Sequence, residues 1–186
     1  NLVAPAYTTD GFANGDSAKS VSYTYEGTGT TSYGPSSTRP THVGTYSITP
    51  SNVQMQSGSL DDYTVSYVAG SLTIGTLAVT VTPVAATKTY GESDPTIEYT
   101  YSPDLAYLDT FAGDLTRSSA GQNGGENVGS YEIVRGTLTL PDDYVLTVAT
   151  GVSLTIDKMA VTLSPVSTSK TYGQSDPAFT WTLSDV

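Results

Sequence analysis

The sequence predicts a mostly β protein built from tandem β-rich modules, each a small sheet. Three observations support this prediction: the composition, a set of recurring segments, and alternation of apolar and polar residues within those segments. The chain contains 14 Tyr, and Thr and Val are abundant. Branched and aromatic side chains fit a pleated surface, whereas disordered chains are poor in them, so we expect a folded, strand-rich protein.

The recurring segments keep one order along the chain. KTYGESDP at 88–95 returns as KTYGQSDP at 170–177, and at the same offset LAVTVTP and SLTI return as MAVTLSP and SLTI. HVGTYSI at 42–48 and DDY at 61–63 return with small shifts as NVGSYEI and DDY. Five ordered blocks indicate internal duplication, and the shifts between them locate insertions in loops.

The phase of the repeat divides the chain into three parts. Residues 1–76 are predicted to be an incomplete first module that lacks its opening strand, 77–158 a complete module, and 159–186 the opening strands of a third. We expect a longer protein that continues at both ends, with targeting and anchoring segments outside these residues. A lower-ranked alternative is strand exchange, in which 159–186 complete the first module of a neighbouring chain.

Alternation within the repeat predicts its strands. Residues 77–81 and 97–101 alternate in the way expected of half-buried strands. Residues 131–140 and 144–149 predict two further strands, and Pro141–Asp143 between them predicts a turn.

One segment of the complete module has helical spacing instead. Residues 104–115 place Leu105, Leu108, Phe111 and Leu115 three or four positions apart, which predicts a short helix ending near Gly113. Residues 27–41 and 118–126, rich in small and polar residues, predict loops. A grasp-like sheet with one short helix is therefore a plausible module fold, and an immunoglobulin-like sandwich is the main alternative.

Composition and charge exclude several functional classes. The net charge is −11, and the seven Lys and Arg residues are scattered, so the cluster needed to bind nucleic acid is missing. No apolar run approaches the length of a membrane span, so no membrane insertion is expected in this segment. Cysteine is absent, so no disulfide stabilises the chain.

The repeated motifs favour structural roles. The Tyr-Gly-x-Ser-Asp-Pro segment predicts a turn with a packed Tyr, and Tyr46 and Tyr131 are expected to anchor core strands. Lys88 and Lys170 precede the turn and are expected to be exposed, although some surface proteins crosslink such a Lys to Asn or Asp.

Neither catalysis nor metal binding is predicted. His42 is the only histidine, and its repeat counterpart is Asn127, so triads and zinc sites that need imidazole are excluded. No nucleophile, base and pocket set is evident, and we expect no catalytic, cofactor-binding or metal-binding residues. The recurring acids, Asp61-Asp62, Asp142-Asp143, Asp94 and Asp176, are expected to be solvated turn residues. Calcium between modules is the one cofactor considered, and no motif supports it.

The order of these motifs resembles the MBG domains, YGX type, of large bacterial surface proteins. The resemblance rests on KTYGxSDP, DLTR at 114–117, ENVGSYEI at 126–133, GTL at 136–138, DY at 143–144 and SLTI at 153–156. It implies a stalk or adhesive region of a secreted, extracellular protein attached to the cell surface. The first module departs from the pattern with FANGD at 12–16 and a longer Gly/Ser/Thr loop.

Three functional hypotheses follow. The first is a structural stalk or fibre region that supports adhesion or forms a surface filament, with neighbouring modules and other copies as partners. The second is direct binding of carbohydrate or protein ligands from a host or environmental surface, which predicts exposed aromatic residues on one face. The third is an enzyme, which the motifs do not support.

Overall fold

The structure is a computed structural model that describes residues 7, 11–119 and 125–185. These residues form twelve β-strands and a 3₁₀ turn at Leu60–Asp62, which confirms the mostly β fold class. The chain divides into two compact units, Asn1–Leu77 and Ala78–Val186. The described part of the chain contains no helix with the length and hydrophobicity of a membrane span.

The first unit contains one antiparallel sheet of three strands in the order β1-β2-β3. The strands are β1 (Ser17–Gly27), β2 (Gly44–Ser57) and β3 (Gly70–Ile74). Alternation of apolar and polar residues lets one face of this sheet bury Tyr25, Tyr46 and Val53. A 3₁₀ turn at Leu60–Asp62 follows β2, and Ser59 caps it by accepting a hydrogen bond from the Asp61 amide.

The second unit contains three sheets. Their strands are β4 (Leu77–Pro83), β5 (Ala86–Thr89), β6 (Tyr99–Ser102), β7 (Thr116–Arg117), β8 (Gly129–Val134), β9 (Tyr144–Val148), β10 (Ser153–Asp157), β11 (Val161–Pro165) and β12 (Trp181–Asp185). The sheet orders are β5-β10-β8-β7, β6-β4-β9 and the hairpin β11-β12. In the four-stranded sheet β10 pairs parallel with β5 and antiparallel with β8, so that sheet is mixed.

Two of these sheets enclose one core. Val81 of β4 packs with Ile133 of β8 and with Leu154 and Ile156 of β10, and all four are almost completely buried. Leu146 and other residues of β9 pack against the same cluster. The module therefore has two layers of sheet around its apolar centre, with a parallel edge pair.

The predicted short helix at 104–115 is wrong. Tyr107 and Leu108 have φ values of 51° and 65°, and the Asp109 amide donates to the Ala106 carbonyl at 2.9 Å, which closes a tight turn. Leu108 is exposed, whereas Phe111 packs edge-on against Tyr99 with ring centroids 5.4 Å apart. Of the apolar residues with helical spacing, Phe111 and Leu115 pack with the core and Leu108 does not, so they do not form one helical face. The grasp-like option thereby loses its helix.

The predicted turns and strands of the complete module are present. The Tyr144 amide donates to the Pro141 carbonyl at 3.0 Å, which confirms the turn between the two late strands. The predicted strand at 131–140 is shorter than expected, because β8 ends at Val134. The loop at 27–41 is confirmed apart from one bridge between Tyr25 and Ser36. The loop predicted at 118–126 lies partly outside the described residues.

Candidate functional site

Four charged side chains of the complete module form one ion-pair cluster. Lys88 Nζ lies 2.7 Å from Asp94 Oδ1 and 2.8 Å from Glu126 Oε2. Arg117 Nε lies 2.7 Å from Asp94 Oδ2, and Arg117 also pairs with Glu126. The two cations are buried and the two carboxylates are partly exposed. Because the cluster contains two positive and two negative side chains, it is neutral as a whole. We call these four residues the charged cluster.

Turn geometry and strand pairing bring the charged cluster together. Lys88 lies on β5, and a turn follows in which Gly91 has φ 94° and the Glu92 amide donates to the Thr89 carbonyl. A left-handed φ favours glycine, since a side chain there would be strained. The turn returns the chain so that Asp94 faces Lys88, which shows why the motif places these two residues six positions apart.

Arg117 fixes the cluster to the core. Its guanidinium donates through Nη1 to the Gly125 carbonyl at 2.6 Å, and lies 5.2 Å from the ring centroid of Tyr131. A planar guanidinium can serve several acceptors and stack on an aromatic ring at once, which an ammonium cannot. Arg117 thereby joins β7, the turn after β5, and the segment that leads into β8.

The cluster holds each member in its charged form. Burial alone would raise the pKa of Asp94, but hydrogen bonds from Arg117 and Lys88 outweigh it and the pKa is lowered. The hydrogen bond from Lys88 lowers the pKa of Glu126, and hydrogen bonds to Asp94 and then Glu126 raise the pKa of Lys88. The hydrogen bond to Asp94 likewise raises the pKa of Arg117.

The prediction that Lys88 is solvent-exposed is wrong. Its side chain is buried. The charge can be buried because two carboxylates and the Glu92 carbonyl, at 3.0 Å, accept hydrogen bonds from its three N–H groups. A buried lysine beside a carboxyl group has the geometry that an amide crosslink would need. Attack by the amine would require a neutral Lys88, however, and the ion pairs favour the ammonium, which has no lone pair to donate. The arrangement therefore supports packing rather than crosslinking.

The corresponding pair in the second copy of the motif, at 170–177, forms at the surface. Lys170 pairs with Asp176, as Lys88 pairs with Asp94, but both side chains are exposed. Exposed ion pairs stabilise little, because water screens them. Both copies of the motif therefore pair their Lys with their Asp, and the lysine is buried in only one of them.

The repeated tyrosines have two different fates. Tyr46 and Tyr131 are buried, and each hydroxyl donates at 2.7 Å to the carbonyl four residues earlier, that of His42 and that of Asn127. Their predicted role as strand anchors is confirmed. The prediction that the Tyr of the Tyr-Gly turn is packed is wrong, because Tyr90 and Tyr172 are exposed. Tyr172 is fully exposed, and Tyr90 is 42% exposed.

The recurring acids do not converge. Asp61, Asp62 and Asp142 are exposed and Asp143 is half-buried. Within the described residues no group of three or more His, Cys, Asp or Glu side chains could hold a metal ion.

The first unit has an open groove with a volume of about 720 Å³. Its lining is uncharged and rich in aromatic and branched side chains: Tyr7, Gly11, Phe12, Val21, Tyr23, Ile48, Pro50, Val53, Tyr63, Thr64, Val65, Ser66, Tyr67, Val68, Gly70 and Ser71. We call this the aromatic groove. Sequence reasoning missed it, because its lining comes from four separate stretches, at 7–12, 21–23, 48–53 and 63–71.

Sequence reasoning also missed Arg117 and Glu126 as partners of the motif Lys and Asp. Both residues stand inside the quoted segments DLTR and ENVGSYEI, which was the available signal. The repeat did not point to Glu126, because its counterpart in the first module is Thr41.

Comparison with known proteins identifies the complete module. Residues 79–155 match the family model described as MBG domain (YGX type). Neither the comparison with curated proteins nor that with solved structures found a match. The matched range begins within β4 and ends within β10, so it includes all four residues of the charged cluster. The resemblance to MBG domains of the YGX type is therefore confirmed for residues 79–155.

Proposed function

We propose that the chain is a structural repeat region, a stalk or fibre segment, of a secreted bacterial protein at the cell surface. The observation that carries the proposal is the repetition of one architecture. The pairing of Tyr46 with Leu72 between β2 and β3 repeats as Tyr131 with Leu154 between β8 and β10. Repeated modules that build the same core supply length and rigidity.

The charged cluster supports a mechanical role for each module. Four ion pairs tie β5, the turn that follows it, β7 and the segment before β8 to one another. Every charge of the cluster is engaged by another, so no acid or base is left poised for proton transfer. We therefore propose that the module is not an enzyme, and that reproducible turnover of any substrate by the purified chain would refute this.

The test of the stalk is surface labelling combined with a length measurement. Antibody raised against the complete module should label intact cells, and deleting that module in frame should shorten the projection seen by electron microscopy. Deleting an equally long segment from a cytoplasmic protein of the same cells serves as control. Labelling that appears only after the cells are permeabilised would contradict the proposed location.

The second candidate function is direct binding of a surface carbohydrate or protein. The aromatic groove favours it, because aromatic side chains such as Tyr23 and Tyr67 stack on sugar rings and anchor protein contacts. A glycan array probed with the wild-type chain, Tyr67→Ala and the exposed control Tyr90→Ala tests this. Binding lost only in Tyr67→Ala would support the second function, and equal signals would oppose it.

A further inference from the structure

The turn through Tyr107 and Leu108 places two apolar side chains in solvent. Phe111 and Leu115, from the same loop, pack with the core of the complete module. Tyr107 is 68% exposed and Leu108 is 96% exposed, and within the described residues neither side chain makes a hydrogen bond or a ring contact. We call these two residues the turn tip. Single exposed apolar residues are common on protein surfaces, so exposure alone does not mark a contact.

The backbone of the turn tip supplies a second observation. Both residues have positive φ, 51° and 65°, which bulky side chains rarely adopt because Cβ crowds a carbonyl oxygen. The first unit closes the same kind of turn around Asn14 and Gly15, the pair that this backbone prefers. The complete module thus keeps the less favourable pair although neither side chain packs in its core. Backbone strain without a packing reason is typical of residues that contact a ligand.

The turn tip is held in one conformation. The Tyr144 hydroxyl binds both ends of the turn, Ala106 and Asp109. Two backbone hydrogen bonds between Ala112 and Thr139, at 3.0 and 2.7 Å, fix the chain that follows. Binding of a partner would therefore cost little conformational entropy of the backbone, because the two side chains are already presented in one place.

The surroundings of the turn tip are acidic. Residues 103–116 contain Asp104, Asp109 and Asp114 and no lysine or arginine. Asp104 is exposed three positions before the tip, and the half-buried Asp109 directly follows it. A complementary surface would therefore offer an apolar pocket for the tip and cations around that pocket.

Shape and charge favour a protein as the partner. A convex tip of two side chains needs a concave site, whereas sugar rings stack on flat aromatic surfaces or enter pockets. Anionic lipid headgroups would repel the acids, and two inserted side chains are too few to hold a chain on a bilayer. Tyrosine is enriched among the residues that dominate contacts between proteins.

We propose that the turn tip inserts into an apolar pocket, bordered by Lys and Arg side chains, on the surface of another protein. Leu108 would fill the pocket, Tyr107 would pack at its edge, and Asp104 would face the cations. This contact goes beyond the structural role proposed above and does not depend on it. It also shares no residue with the lining of the aromatic groove.

The first experiment probes an array of purified extracellular proteins, both basic and acidic, with the labelled full chain. The wild-type chain should bind basic proteins, and more weakly as the salt concentration rises. Tyr107→Asn with Leu108→Gly should weaken that binding at least about tenfold, because the two removed side chains form its apolar centre. Tyr90→Asn removes an exposed tyrosine from another turn of the same module, and as the matched control it should bind like the wild type.

The double variant separates binding from folding. Its new residues suit the turn, so its melting temperature should equal or exceed that of the wild type while its binding falls. Tyr107→Phe with Leu108→Met keeps two apolar side chains of similar volume and should retain binding. Loss of binding in both double variants would show that the apolar character of the tip is not what the partner recognises.

A second experiment tests the cations around the pocket. Asp104→Lys should weaken binding to the array proteins that the wild type recognises, and should reduce its dependence on salt. Asp61→Lys changes the net charge equally, at an exposed site of the first unit, and should alter binding less. Equal effects of the two changes would show that only the overall charge matters, and would contradict the cationic border.

Three further results would overturn the proposal. A wild-type chain that binds no protein of the array would do so, and so would a Tyr107→Asn, Leu108→Gly chain that binds like the wild type. A glycan array and phosphatidylcholine vesicles are probed in parallel, and tip-dependent binding to either would assign the tip to a sugar or a lipid instead. None of these results bears on surface labelling of intact cells, so the stalk could stand while this contact fails.

Discussion

The hydroxyl of Tyr144 donates to Asp109 Oδ2 at 2.8 Å, and it also accepts from the Ala106 amide at 2.9 Å. One side chain of β9 thus holds both ends, Ala106 and Asp109, of the turn whose central residues are Tyr107 and Leu108. The first unit repeats the arrangement, since Tyr63 donates to Asp16 at 2.8 Å. The segment FANGD, which looked like a departure from the family pattern, is the counterpart of this turn.

The two copies of the turn differ in how well their residues suit it. The first unit places Asn14 and Gly15 at φ 55° and 80°, and the complete module places Tyr107 and Leu108 at φ 51° and 65°. Asn-Gly is the preferred pair when both central residues have positive φ, whereas a bulky residue there is strained. We therefore expect the double change Tyr107→Asn with Leu108→Gly to raise the free energy of unfolding by about 1–2 kcal/mol.

Denaturant unfolding followed by hydrogen exchange in β8 and β10 measures this gain. The reverse change in the first unit, Asn14→Tyr with Gly15→Leu, is the control and should destabilise that unit by a similar amount. Both Tyr107 and Leu108 are exposed, so little packing is lost in the forward change. A forward change that destabilises the module would show that the exposed pair contributes a contact of its own.

Arg117 should be irreplaceable by lysine. Arg117→Lys keeps the charge but loses the fork that serves Asp94, Glu126 and the Gly125 carbonyl together. We expect a loss of about 1.5–3 kcal/mol in the free energy of unfolding, the range for hydrogen bonds to charged groups. Arg135→Lys is the matched control, because Arg135 is exposed and donates to a single carbonyl, that of Leu138. Equal losses of unfolding free energy in both variants would contradict the role given to Arg117 in the charged cluster.

The charged cluster should give the complete module a defined pH range of stability. Asp94 and Glu126 have pKa values below their usual 3.8 and 4.5, so their contribution is present above those values and is lost as pH falls through the folded-state pKa. Lys88 has a pKa above its usual 10.5, so its contribution is complete below 10.5 and is lost at higher pH. We expect the melting temperature to be highest between these limits.

Calorimetry of wild type and Asp94→Asn across pH checks this range. The variant lacks one titrating carboxylate of the cluster, so the difference in melting temperature between the two proteins should shrink as the pH falls below 3.8. Asp61→Asn, which removes a carboxylate at an exposed turn of the first unit, outside the charged cluster, is the matched control. A constant difference between wild type and Asp94→Asn at every pH would contradict the ion pairs.

Lys88 and Asp94 should remain a salt bridge rather than an amide. Their ion pairs favour the ammonium and the carboxylate, neither of which reacts to form the bond. The intact mass of the purified chain should therefore equal the mass calculated from the sequence, before and after prolonged incubation. A mass lower by one water, together with a joined peptide that contains Lys88 and Asp94 after digestion, would refute this prediction.

The sequence by itself determined the fold class, the module repeat and the tyrosine anchors. Strand propensity and alternation are local properties, and the recurrence of a buried residue such as Tyr131 reports a core that each copy must build. The turn at Pro141–Asp143 was also predictable, since its residues favour that backbone without help from distant contacts.

Only the tertiary structure decided the exposure of each element and the composition of the charged cluster. Lys88 and Asp94 lie six positions apart in the sequence. Arg117 and Glu126 join them through sheet pairing that no local pattern encodes. Leu108 has helical spacing, yet the distant Tyr144 stabilises a turn there instead. Leu163 and Val81 stand in matching sequences and differ in burial, because burial depends on the sheet against which a strand packs.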